Sequence, residues 1–232
     1  MRRALVLLGV ALAALATGGL ALAAFTQTAA TRLTAVRAGQ STGIVADVHA
    51  SDPAALGGKP RSVRQLTITF PVGTRFDLDT PLVSDCRVSL RRLAAEFGPS
   101  CPGRSRIGRG TAVANIAPFT PATVTETVSV YVRGSRRAIL IVKPKLPGAP
   151  TEIMNVAAAG RRLTVDVPRL IWGKLIDVVL VSLKLDVPRL GTGSSALITA
   201  GRCTDGRFAI AQRFRYADRG VVDVASFSAC RP

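Results

Sequence analysis

The sequence is poor in the residues that most often carry chemistry. Its 232 positions include one histidine (His49), one tryptophan (Trp172) and 14 acidic residues. Four cysteines are present, none before Cys86 and none in a C-x-x-C arrangement. That excludes a lipid-modified N-terminal cysteine, and a single imidazole leaves a zinc site short of ligands. Aromatic residues make up only 5% of the chain. Sugar sites and single-strand nucleic-acid sites both use aromatic platforms, so specific nucleic-acid binding is not expected. After the N-terminal segment there is no G-x-S-x-G elbow and no S-x-x-K. EF-hand spacing is absent as well. His49 stands in Asp47-Val48-His49-Ala50-Ser51-Asp52, which holds an acid, a base and a nucleophile. A triad is defined by spatial roles, however, and this segment reads as solvated linker. No cofactor or metal is expected.

What is present begins with an address. Arg2 and Arg3 precede an uncharged run from Ala4 to Ala24 that ends in small residues. This is the pattern of a secretory signal, residues 1–23, with cleavage after Ala21-Leu22-Ala23. The alternative is a retained helical anchor, since about 20 apolar residues can span a bilayer. Either way the expected location is secreted or at the cell envelope. The formal charge is +17, and losing the two arginines of the signal leaves +15. A field of that sign attracts anionic cell-wall polymer or an acidic membrane surface.

Residues 24–60 are rich in Ala, Thr, Gly and Ser and are read as a flexible arm. From residue 61 to 232 the pattern is that of strands. Leu66, Ile68 and Phe70 alternate with polar neighbours before Pro71. A hairpin is expected over 123–143, turning at Gly134-Ser135, with Glu126 the one exception on an apolar face. Further strands are expected near 106–116, 152–158, 162–167, 177–186 and 195–200. A last hairpin pairs 207–216 with 221–228, its left-handed loop position at Gly220. Helical periodicity is confined to Leu90–Phe97. Many short strands divided by Gly and Pro predict an all-β fold, an antiparallel β-sandwich or alternatively a β-barrel.

Cys86, Cys101, Cys203 and Cys230 lie wholly in the exported part, where structural disulfides are the default. Of three connectivities, sequence proximity favours Cys86 with Cys101 and Cys203 with Cys230. Two candidate sites remain. Arg133, Arg136, Arg137, Lys143 and Lys145 form an acid-free basic cluster able to contact an anionic polymer. Asp77, Asp79 and Asp85 are the candidate carboxylates of a secreted hydrolase, although acids near turns also act as local caps. The leading expectation is a non-enzymatic envelope domain with a structural, adhesive or polymer-binding role. The hydrolase and a membrane-anchored surface domain are the alternatives.

Cys86, the run Cys101-Pro102-Gly103-Arg104-Ser105-Arg106-Ile107-Gly108, Cys203, Tyr216-Ala217-Asp218-Arg219-Gly220 and Cys230-Arg231 resemble a family of exported β-rich domains of actinobacteria. The resemblance spans residues 62 to 231. It implies an all-β domain, export and the two neighbour disulfides, and it brings no activity, cofactor or catalytic residue.

Overall fold

The computed structural model describes residues 25–95, 101–118, 122–147, 149, 151–169, 171–172 and 176–231. The expected signal segment, residues 1–23, lies outside them. In chain order the elements are β1 (Thr26–Leu33), β2 (Ile44–Ser51), β3 (Val63–Thr69), β4 (Arg75–Phe76), α1 (Leu90–Ala95), β5 (Arg106–Asn115), β6 (Thr123–Val132), β7 (Arg137–Pro144) and β8 (Glu152–Ala159). They continue with β9 (Arg162–Asp166), β10 (Ile171–Trp172), β11 (Ile176–Asp177), β12 (Val179–Val187), β13 (Ile198–Thr199), β14 (Arg207–Tyr216) and β15 (Val221–Ala229). The side chains of β10 and β11, Trp172 among them, lie outside the described residues.

Eleven strands form one antiparallel sheet in the order β1-β2-β12-β5-β6-β7-β8-β9-β3-β14-β15. The all-β expectation holds, and the sheet curls until it nearly closes as a barrel. Period-2 patterning sets its two surfaces. On β14, Phe208, Ile210, Gln212, Phe214 and Tyr216 are buried, while Arg207, Arg213 and Arg215 are exposed. Polar outward faces and apolar inward faces are the reverse of a barrel that meets lipid along its wall.

The two ends of the sheet, β1 and β15, run parallel and meet without a regular ladder. Ser226 joins them instead. Its Oγ accepts the Thr31 N–H at 3.1 Å and donates to the Ala29 carbonyl at 3.0 Å. Gln212 Nε2 donates to the same oxygen, and Thr31 Oγ1 donates to Gln212 Oε1. Further along, the Leu33 N–H reaches Ser228 Oγ.

One end of the barrel is plugged. The short pair β4–β13 and the turns around it place Phe76, Leu78, Leu197 and Ile198 across the opening. The Cys203–Cys230 disulfide ties that end to the last strand. On the outside, Tyr131, Ile139 and Ile141 of β6 and β7 are covered by Leu93 of α1 and by the segment that the Cys86–Cys101 disulfide closes. β7 is thus buried on both faces, as its unbroken apolar run implies.

Four expectations are corrected. Residues 26–33 and 44–51 are strands of the sheet and no flexible arm, because Ile44, Ala46, Val48 and Ala50 face inward and complete the wall. The β6–β7 loop has three residues, not two: Arg133 N–H bonds the Arg137 carbonyl, and β8 takes the Arg136 carbonyl through Ala158 N–H. In the last hairpin the left-handed residue is Arg219, at φ 66°, since Asp218 Oδ1 accepts the Gly220 N–H and holds the loop one residue earlier. The strand expected at 195–200 shrinks to β13, two residues of the plug.

Candidate functional site

The inner wall is built largely from aliphatic side chains, and several are small. Ala46 and Ala50 of β2, Ala138 of β7 and Ala158 of β8 all point inward. About eight strands give a barrel that side chains can just fill. A sheet of eleven strands with alanines at those positions cannot fill its interior, and a cavity of about 150 Å³ remains. It runs from the plug residues Phe76, Leu78, Leu197 and Ile198 to the opposite end of the barrel. There the lining passes to Ser62, Val63 and Arg64 of the β3 end, Val167, Pro168 and Arg169 after β9, and Val178 to Val181. An apolar void of this kind stays dry, and one of this size accepts a benzene-sized group.

Beside that mouth sits a second feature. Glu126 of β6 and Glu152 of β8 flank β7, opposite Pro144 and Val142 respectively. Both side chains point into a pocket of about 20 Å³ that also includes Ile116, Val124, Leu146 and Val178. Val178 is a wall common to this pocket and the larger cavity. Glu126 is only 3% exposed. Burial raises its carboxyl to about 7. Burial, then the charge of Glu126, raises Glu152 to about 8. Glu152 Oε2 is buried without a hydrogen-bond partner among the described residues. The pocket has room for about one water molecule and none for a sugar ring.

The residues singled out from sequence are dispersed. Arg133, Arg136 and Arg137 sit at the plugged end of the barrel, whereas Lys143 and Lys145 lie about 20 Å away along β7 at the rise of an extended strand. Arg133 is engaged structurally, donating to the Val88 carbonyl at 2.7 Å. Arg136 instead lines a surface groove of about 600 Å³ with Arg75, Asp77, Gly160 and Ser194. Asp77 Oδ1 accepts the Asp79 N–H at 3.2 Å, which is a turn cap, and Asp85 lies 4.0 Å from Arg87. His49 is exposed on the outer face of β2. All four cysteines are paired as their sequence order favours, in keeping with an oxidising compartment outside the cytoplasm.

Sequence reading missed the cavity, because its small inward residues come from strands whose pairing had to be known first. It noticed Glu126 as an interruption of an apolar face but had no means of placing Glu152 beside it. Among the described residues no group of three His, Cys, Asp or Glu side chains could hold a metal ion, and no helix is long and apolar enough to cross a membrane. No family model, no curated protein and no solved structure matches the chain.

Proposed function

We propose that this protein is an exported, non-enzymatic barrel that takes an apolar molecule or alkyl chain into its interior at the cell envelope. The observation that carries the reading is the cavity of about 150 Å³, closed by a plug at one end and lined almost wholly by aliphatic side chains. An interior of this type binds by apolar burial, at roughly 25 cal/mol per Å² removed from water. Export rests on the N-terminal apolar segment and on the two disulfides. The test is calorimetric titration with benzene, an uncharged apolar probe of matching size. One benzene should bind per chain, and Ala46→Phe or Ala158→Phe, which fill the cavity, should abolish binding while the fold persists. Equal binding to wild type and filled variants would defeat the reading.

A second reading is supported by the groove that holds Arg136 and Arg75. It is a binding surface for an anionic wall polymer, used with or without an interior ligand. Affinity for such a polymer should fall steeply between low and physiological salt, and Arg136→Ser with Arg75→Ser should weaken it. A response flat in salt would remove this reading.

A further inference from the structure

The plugged end of the barrel carries two bare apolar side chains on neighbouring turns. Val36, in the loop between β1 and β2, is 57% exposed, and Val72, in the turn after β3, is 54% exposed. The segment from Ala200 to Arg202 ties the two turns together. The Ala200 carbonyl accepts the Gly39 N–H at 2.9 Å, and the Ala200 N–H donates to the Gln40 carbonyl at 2.8 Å. Two residues on, the Arg202 N–H donates to the Val72 carbonyl at 2.7 Å. Both valines therefore stand on turns pinned to one strip of backbone.

Arginines are brought to the same place. The Cys203–Cys230 disulfide holds its two Cα atoms 5.9 Å apart, and Arg202 and Arg231 adjoin those cysteines in sequence. The Arg231 N–H donates to the Val36 carbonyl at 2.7 Å, and Arg231 forms a β-bridge with Arg37. Each exposed valine thus has an exposed arginine bonded to its own backbone. Among the described residues no carboxylate pairs with Arg37, Arg202 or Arg231. Asp205, the acid nearest to Arg202 in sequence, is exposed in the turn that follows. Like charges gathered in this way repel one another, and an anionic partner relieves that cost.

The valines decide which anionic partner fits. A hydrated polymer would meet the arginines and gain nothing from two apolar tips. At a bilayer the tips enter the boundary between head groups and acyl chains while the arginines reach the lipid phosphates, so apolar burial and electrostatic attraction act together. The outward side chains of β14 are polar, so the wall offers lipid no comparable surface.

We infer that the plugged end docks on the surface of a bilayer rich in anionic lipid, with Val36 and Val72 in the head-group boundary and Arg37, Arg202 and Arg231 on the phosphates. None of these five residues lines the interior cavity, so the docking face and the ligand chamber stand or fall separately.

The experiment is co-sedimentation of the disulfide-bonded protein with vesicles of phosphatidylglycerol or of phosphatidylcholine, with soluble poly(glycerol phosphate) as the polymer control. The protein should bind phosphatidylglycerol, scarcely bind phosphatidylcholine, and be released as salt rises. Arg202→Gln with Arg231→Gln should weaken binding about thirtyfold. Val36→Ser with Val72→Ser should weaken it about tenfold. Leu56→Ser removes a side chain that is 95% exposed at the opposite end of the barrel and should change nothing. In Val72→Trp the emission should shift to the blue with phosphatidylglycerol vesicles, a sign of insertion that does not depend on any loss of binding. Equal binding to the two lipids, or unchanged binding in the double serine variant, would overturn the inference. Lost binding in Leu56→Ser would also overturn it, by placing the contact at the other end. If poly(glycerol phosphate) binds as tightly as the vesicles and the Val72→Trp emission does not move, the face is a polymer site and the lipid assignment falls.

Discussion

Thr31 and Ser226 close the barrel: the Thr31 amide donates to Ser226 Oγ at 3.1 Å between two strand ends that share no regular ladder. Ser226 is satisfied in every direction, with two donors on its lone pairs and its own proton on the Ala29 carbonyl. Ser226→Ala would leave the Thr31 N–H and the Gln212 amide unpaired in a buried place. We expect a loss of about 2 to 3 kcal/mol in urea unfolding, the cost of buried donors left without acceptors. Amide exchange at Thr31 and Leu33 should accelerate more than at β7. A uniform change across the sheet would mean that the seam is no weak line.

The pair Glu126 and Glu152 makes stability depend on pH in a definite sense. An unfolded chain ionises both from 4.5 upward, but the folded barrel retains their protons to about 7 and about 8. The folded state binds more protons across that interval, so stability is full below pH 4.5 and falls as pH rises through the folded values. The expected decline to about pH 8.5 is on the order of a few kcal/mol. Glu126→Gln combined with Glu152→Gln should flatten the profile. A stability that rises over the same interval would contradict the burial of these carboxyls.

Gly110 of β5 faces β12 so closely that a Cβ would collide with the Lys184 carbonyl oxygen, and that atom is backbone. Gly110→Ala should therefore cost about 1 to 3 kcal/mol, as overpacking does, measured by thermal or urea unfolding. Gly103→Ala, with open space around it, is the matched control. Equal effects at both positions would argue against the close β5–β12 approach.

Removing the Cys86–Cys101 bridge with paired serines should cost about 3 kcal/mol by loop closure. It should also release Leu93 from Tyr131, Ile139 and Ile141, exposing amides of β7 to exchange. The Cys203–Cys230 bridge closes a longer loop, with a separation of 27 residues against 15. Its removal should cost slightly more and loosen the plug instead. If neither pair of serines changes the unfolding midpoint, the disulfides do not fasten these two parts.

The parts legible in sequence are those where the inward residues are large. Phe208, Ile210, Phe214 and Tyr216 announce β14, and Val128, Val130 and Val132 announce β6, because period-2 alternation is loud when the buried partner is bulky. β2 obeys the same period, with Ile44, Ala46, Val48 and Ala50 inward and Asp47 and His49 outward. Alanine carries little hydrophobic contrast, so the segment looked like an arm. The same small residues that hid the strand leave the cavity. Glu126 and Glu152 became meaningful only through register, which depends on pairing across long stretches of chain.

The most direct test of the central claim is a crystal structure of the protein soaked with bromobenzene, read through the anomalous signal of bromine. A single bromine site inside the barrel, among Ala46, Leu140, Met154 and Leu183, is the result expected of a ligand chamber. Bromine confined to the outer surface, with side chains filling the interior, would contradict it.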